Sequence, residues 1–289
     1  YSCYWIARNK ITFDYLRKLE KPTIYMYFPF TALREVLTTS LLVTNDSYLQ
    51  FLFPKRIKMV QLWHGVGPKG SIFRLDDLKD AWCFSSEYVK RRFMENWGFP
   101  PEKLYVTGFA RMDTLYRYLE MPKEKLLEEL GIRDGRKIVL YAPTFDVGLW
   151  PWGNAYERIE KLCRFCKKNN LILVVRLHPL AKINRRRLRK IVSGFENVYW
   201  IDAPKEPDTM KILAIADILI TDWSSIYTDY FLTKRPIIYM EVDPHFFVKK
   251  RGIGDIPPEF RAGEIAHNEE ELYKALNTVL KYGNRHRER

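Results

Sequence analysis

One stretch, residues 218–230 (ILITDWSSIYTDY), constrains the fold of this chain more than any other. An apolar run of strand type ends in Thr221-Asp222, and Ser224-Ser225 then opens a segment with helical spacing, so two hydroxyls and several backbone N–H groups meet at one helix N-terminus. Such a junction attracts anions. A parallel α/β sheet presents its ligand crevice at the carboxyl ends of its strands, and a strand ending in Asp and Ser-Ser points to a crevice suited to a phosphate-bearing small molecule. The plain alternative is a helix N-cap supplied by Asp222 or Ser224.

The rest of the chain alternates in the same way. Strand-like runs at 4–7, 23–28, 41–44, 58–63, 81–85 and 103–108 are separated by segments with helical spacing at 11–19, 31–37, 47–53 and 87–97. The pattern starts again after a polar, helix-forming segment at 113–130, with strands expected at 138–141, 171–177, 198–201, 218–221 and 236–241 and helices at 156–167, 208–214 and 269–282. Alternation of this kind implies parallel sheets flanked by helices. At 289 residues the chain exceeds the usual size of a single core. The expected division is a first domain at 1–115, a connector helix at 116–134 and a second domain at 135–289, with a cleft between two sheets.

Composition excludes several classes. With 47% hydrophobic and 15% aromatic residues the chain is not disordered. No apolar run approaches the roughly 20 residues of a membrane span. The opening YSCYWIARNK reads as a strand entering a helix and lacks the basic-then-apolar form of a signal peptide. Cys3, Cys83, Cys163 and Cys166 include one C-x-x-C pair, but no second pair or spaced histidines complete a zinc site. They are expected to be reduced cysteines of a cytoplasmic protein.

The formal charge of +13 is uneven, with KINRRRLRK at 182–190 and a tail ending NRHRER. That surplus attracts polyanions: nucleic acid, an anionic membrane leaflet or phosphorylated substrates. No RNA-recognition signature, zinc-finger spacing or helix-turn-helix accompanies it, so no nucleic-acid partner is expected. The 182–190 patch is either a membrane contact or a solvated helix face.

Three strand ends carry chemistry. Residues 64–70 read His64-Gly65-Val66-Gly67-Pro68-Lys69-Gly70, a glycine-rich loop whose backbone can approach a ligand, with His64 at the strand's end. Residues 142–145 place Thr144 behind Pro143, which stops the strand. Residues 171–177 carry Arg176 on an otherwise apolar run ending in His178-Pro179, and a cation there calls for an anionic partner. Histidine at such a position is either a structural cap or a functional imidazole.

The ordered set WHG within 61–69, YAPTF at 141–145, RLHP at 176–179, TDWSSIYTDY at 221–230 and KRPIIY at 234–239 resembles the motif set of the CDP-glycerol glycerophosphotransferases of teichoic acid assembly. Order and spacing agree from about residue 23 to the end. The resemblance implies a GT-B-like α/β fold, two facing Rossmann-like domains with the active site in the cleft between them. It also implies transfer of a polyol phosphate from CDP-glycerol or CDP-ribitol to a hydroxyl of an undecaprenyl-type lipid-linked acceptor. The protein would release CMP and sit peripherally on the cytoplasmic face of the membrane.

On this resemblance His64 is the histidine near the acceptor and candidate base, and His178 the histidine of the donor site. Thr144, Ser224 and Ser225 line the pyrophosphate pocket, joined by Arg176. Asp222 is expected to hold a histidine, orient the serines or take a donor hydroxyl. Gly65 and Lys69 fall on the acceptor side, and Arg251 and Glu264 on the donor side, Glu264 in the region that holds the ribose or polyol. Each of these charges reads equally as a solvated surface group. The sequence around Glu264 departs from the Pro-Gly-Pro form of glycerol-specific members, which leaves ribitol open. No D-x-D cluster or carboxylate pair demands a metal, so neither a protein-bound metal nor a tightly bound cofactor is expected. An ion accompanying the pyrophosphate is compatible with that reading.

The first domain is short for this fold, as in a fragment or a compact member. Rival readings are a GT-B glycosyltransferase or epimerase acting on a nucleotide sugar, and a non-catalytic membrane-associated anion-binding protein.

Overall fold

The computed structural model describes residues 3–7, 9–25, 34–35, 37–45, 54–63, 65–66, 80–243, 245, 249, 256–257 and 260–286, apart from the Asp146 side chain. The expected helix at 47–53 lies outside the described residues, as do 31–33 and 36 of the one at 31–37 and the last three residues of the strand at 23–28.

In the first half, β1 (Trp5–Ala7) runs through α1 (Lys10–Lys18) into β2 (Thr23–Tyr25), and the two strands pair in parallel. A separate sheet follows, with β3 (Leu41–Thr44), β4 (Lys58–Gln61), β5 (Ala81–Phe84) and β6 (Leu104–Val106) parallel and in sequence order. Helix α2 (Glu87–Trp97) crosses between β5 and β6. Ser86 starts it by accepting the Val89 N–H, and Gly98, with φ +64°, ends it in the left-handed region. An aromatic core of Trp63, Trp82, Phe84, Phe93, Phe99 and Phe109 lies beneath this sheet.

The second half is one six-stranded parallel sheet of β7 (Ile138–Tyr141), β8 (Ile172–Val175), β9 (Val198–Trp200), β10 (Ile218–Thr221), β11 (Ile237–Met240) and β12 (Glu264–Ala266). Its spatial order is β12-β11-β10-β7-β8-β9. The chain starts at the centre, winds outward through β8 and β9, then crosses back to β10 and winds the other way. This is the doubly wound order, whose reversal falls between β7 and β10. Alternate residues of each strand enter different cores. Val139, Tyr141, Leu173, Val175 and Ile220 pack under α5 (Ala155–Lys168), α6 (Arg185–Val192) and α9 (Glu269–Tyr282). Ile138, Leu140, Ile172, Val174 and Leu219 pack under α3 (Ala110–Glu120), α4 (Lys123–Glu129), α7 (Thr209–Ile215) and α8 (Ile226–Tyr230). Both faces being covered explains why these strands read as continuous apolar runs.

One expectation needs correction. The helix expected over 113–130 is two, broken at Met121-Pro122, where proline pushes the preceding residue to an extended ψ of 150°. The 182–190 patch, read as a membrane contact or a solvated helix face, holds helix α6; Leu188 and Val192, four residues apart, anchor it in the core, and Asn184 caps it through the Arg187 N–H. The three-residue edge strand β12 carries too short a pattern to read from sequence.

Candidate active site

The reversal point between β7 and β10 brings two of the sequence motifs into direct contact. Ala142 N–H donates to the Ile220 carbonyl at 2.9 Å, and Thr221 Oγ1–H donates to the Ala142 carbonyl at 2.7 Å. Two residues past Ala142, the Thr144 N–H lies 2.9 and 3.0 Å from the two carboxylate oxygens of Asp222. Asp222 is fully buried and Thr144 nearly so. The carboxylate thus fixes the loop after β7 against the loop after β10, a contact that sequence reasoning had not assigned to Asp222. Strand β8 adds the third motif, with Arg176 N–H donating to the Tyr141 carbonyl at 2.9 Å.

His178 follows β8 and is exposed. Its Nδ1 accepts the Leu180 N–H at 3.1 Å, and its ring lies 4.7 Å from that of Phe145, in the YAPTF motif. An Nδ1 acceptor puts the proton of the neutral imidazole on Nε2, so that edge of the ring is a hydrogen-bond donor. The cap reading and the functional reading therefore coexist: the local bond orients the ring.

Arg176 has partners within the protein. Its Nη1 donates to the carbonyls of Ile201 (3.3 Å) and Glu206 (2.6 Å), and its Nη2 to Thr209 Oγ1 (2.9 Å). The guanidinium pins the loop between β9 and α7 to the end of β8. Burial pulls its pKa down, and the nearby Glu206, Asp202 and Asp208 oppose that shift. The anionic partner expected from the sequence is thus supplied by carbonyl dipoles and acidic side chains of the protein itself.

The serine pair also differs from expectation. Helix α8 has only five residues, and Ser225 at its start already has helical φ and ψ and makes no side-chain cap bond. Ser224 Oγ accepts the Ile226 N–H at a long 3.4 Å. The hydroxyls, both half-buried, are presented by a tight turn and not by the dipole of a long helix. The first half approaches this turn directly. A Cβ on Gly65 would stand 3.1 Å from Ser225 Oγ and 3.5 Å from Arg111 Nη2, and Gly65 has φ +146°, so the position is glycine's on both counts. Thr228 Oγ1–H reaches the Val66 carbonyl at 3.3 Å. His64, Lys69 and Arg251 lie outside the described residues.

The family model described as CDP-glycerol:poly(glycerophosphate) glycerophosphotransferase matches residues 1–289. The chain belongs to this family. Among its curated relatives, the ribitol-phosphate polymerases TarK and TarL of Staphylococcus aureus are each 28% identical, over 76% and 78% of this chain. The chain spans less than half of their length, 46% and 42%. A poly(glycerol phosphate) polymerase of Bacillus spizizenii is 30% identical over 98% of this chain and 76% of its own length. Among solved structures, the wall teichoic acid polymerase TagF superposes with a TM-score of 0.74 at 19% identity, covering 99% of this chain and 81% of that one. UDP-bound MnaA of S. aureus superposes at 0.57 with 15% identity, over 94% and 78%. These superpositions show the fold: α/β with parallel sheets in two bodies.

Glu264, expected on the donor side, has partners within the chain. It opens β12 level with Ile238, and its Oε1 is held by Arg285 Nη2 (2.7 Å) and Nε (3.1 Å), with His286 Nε2 at 3.4 Å. Arg285 and His286 follow α9, which returns to the amino ends of the strands, whereas the crevice opens at their carboxyl ends. Glu264 therefore ties down the segment after α9.

The carboxylate at the crevice end is Glu241, just past β11. Its Oε1 accepts Trp223 Nε1–H at 2.6 Å, its Oε2 pairs with Arg261 at 2.5 Å, and its carbonyl accepts Trp152 Nε1–H at 3.0 Å. Arg261 in turn lies 5.5 Å from the Trp223 ring and 5.3 Å from the Tyr239 ring. This packed network stiffens the turn before the serines.

Sequence reasoning also passed over Arg111 and Asp229, which form a bidentate ion pair at 2.9 and 2.8 Å across 118 residues. Burial pushes the Asp229 carboxyl up while the Arg111 guanidinium pulls it down. A legible signal existed: Arg111 is a cation in the first turn of α3, where the helix dipole disfavours it. Among the described residues no group of three or more metal-ligating side chains could hold an ion.

Proposed function

We propose that this chain transfers a polyol phosphate, glycerol phosphate in the first instance, from a CDP-activated donor to a hydroxyl of a lipid-linked acceptor, releasing CMP in teichoic-acid-type polymer synthesis. The observation that carries the reading is the meeting of YAPTF, RLHP and TDWSS at the reversal point of the second sheet, through the Asp222 to Thr144 N–H contact. Crevices of this kind hold nucleotides. Supporting the choice of donor, TagF has been solved after soaking with CDPG, and the glycerol-phosphate relative aligns with nearly the whole chain.

In this reading the acceptor hydroxyl attacks the β-phosphorus, the one that bears the polyol, and the bond to the bridging oxygen of CMP breaks. The attacking oxygen loses a proton, for which His64 is the candidate base. Negative charge builds on the bridging oxygen and on the oxygens of the transferring phosphoryl group. The Nε2–H of His178 and the hydroxyls of Ser224, Ser225 and Thr144 are the chain's candidate donors to them. Catalysis is then mostly positioning and electrostatics.

The test is CMP release from CDP-glycerol and CDP-ribitol in parallel, with and without a lipid-linked acceptor. Acceptor-dependent CMP from CDP-glycerol is expected. CMP from CDP-ribitol alone would reassign the polyol, and no CMP from either would overturn the reading.

The acceptor's lipid requires a membrane, and no helix among the described residues is long and apolar enough to cross one. Peripheral attachment to an anionic leaflet through α6 fits. Arg186 and Lys190 are exposed on this helix, with Lys182 just before it, and Arg187 is braced 4.4 Å over the Tyr156 ring. Each such cation near an anionic leaflet contributes about 1 kcal/mol. The double reversal Arg186→Glu with Lys190→Glu is therefore expected to weaken binding to phosphatidylglycerol vesicles roughly 30-fold or more. Co-sedimentation unchanged from the wild type would remove α6 from the contact.

A further inference from the structure

We infer that Arg111 and Asp229 are positioning residues of the transfer reaction, a pair that clamps the glycine loop after β4 against the serine turn after β10. The inference rests on the transferase reading above for its consequence, though not for its geometry. Each charge is placed at a cost. Arg111 occupies the first turn of α3, where the helix dipole disfavours a cation, and Asp229, though in the first turn of α8, is buried beside the fully buried Tyr227 and Tyr230, itself 7% exposed. The compensation for both is the pair they form. A buried ion pair is seldom more stabilising than an apolar pair of the same shape; what it supplies is one fixed arrangement, and the guanidinium fork fixes two hydrogen bonds in a plane.

What that arrangement fixes is visible around it. Arg111 lies 4.7 Å over Phe109, in the aromatic core of the first half. Its Nη2 is close enough to Gly65 that a Cβ there would lie 3.5 Å away, while the same Cβ would press on Ser225. Ser225 stands four residues before Asp229, and Thr228, between them, donates its hydroxyl to the Ser225 carbonyl at 2.7 Å while standing 3.3 Å from the Val66 carbonyl. Gly65-Val66, Arg111 and residues 225–229 are therefore one contact, with the ion pair at its base. On the other side, Trp63 enters the loop with a strained φ of +59°, its N–H 3.1 Å from the buried Gln61 Oε1 and its ring 5.8 Å from Trp82. Trp63 and Gly65-Val66 are thus each held, and the residue between them in the sequence is His64, the candidate base. Loosening the pair lets the base side of the site drift from the donor side without altering the donor pocket itself.

The test uses Arg111→Lys, which keeps the charge and loses the fork, and Asp229→Asn, which keeps the shape and loses the charge. With CDP-glycerol and acceptor, kcat is expected to fall at least tenfold in each variant, with calorimetric Kd for CMP within twofold of the wild type. Amide hydrogen exchange of the peptide covering Gly65-Val66 is expected to quicken at least tenfold, with protection at Ala142 and Thr221 unchanged. Exchange at Gly65-Val66 equal to the wild type, or loss of protection throughout the second sheet, overturns the clamp whatever the activity. Quickened exchange with unchanged kcat and KM leaves a clamp without a role in transfer and overturns the positioning claim. If the wild type releases no CMP from either donor, the transferase reading fails alone, and the exchange experiment still decides the clamp.

Discussion

Replacing His178 with alanine is expected to lower turnover about a thousandfold or more, roughly 4 kcal/mol of lost transition-state stabilisation, with little change in stability. The side chain is exposed, so its removal opens no cavity. The Leu180 N–H that its Nδ1 accepts can turn to water. Its chemical role follows from the same bond, which leaves the proton on Nε2. His178→Gln, whose amide N–H can reach about the same place, separates two functions. Partial recovery means that His178 works as a hydrogen-bond donor to the phosphates, and none means that the imidazole must exchange a proton. Near-normal kcat in His178→Ala would remove it from the site.

The largest loss of stability from a single methyl group is expected at Gly263. A Cβ there would overlap the Ile237 carbonyl oxygen and lie 2.8 Å from Tyr239 Cε2. Neither can retreat: Ile237 is hydrogen-bonded within β11 between β10 and β12, and Tyr239 is fully buried against Tyr227. Gly263→Ala therefore has to push β12 off the sheet edge, at about 3 kcal/mol or more. That corresponds to a fall of roughly 6–12 °C in Tm. An unfolding free energy from denaturant titration within about 1 kcal/mol of the wild type would show that the edge strand yields cheaply.

The parts of the fold legible in the sequence were those in which local pattern and burial agree. Residues 138–141 and 218–221 read as strands because helices cover both faces, leaving no polar position to blur them. Helix α6 stayed one of two readings of a basic patch because its apolar residues Leu188, Ile191 and Val192 stand in a run that is otherwise all arginine and lysine. In the site, Thr144 and Asp222 could each be picked from strand-end chemistry. Their contact could not, since it depends on β10 crossing back to lie beside β7, a choice made by the whole sheet. The partners of Arg176 and Glu264 were hidden for a related reason. Sequence identifies a charge that needs a partner, but carbonyls of Ile201 and Glu206 serve as well as a phosphate, and the segment after α9 supplies Arg285.

Helix α3 begins beside Phe109 in the first core, its Met112 packs against both cores, and its Leu115 is fully buried in the second. A helix embedded at both ends cannot serve as a loose tether on which the two halves swing. Relative movement is limited to what packed side chains tolerate, a sliding of an ångström or two about Met112 before contacts break. Motion between the halves is then shear along a helix, not a hinge.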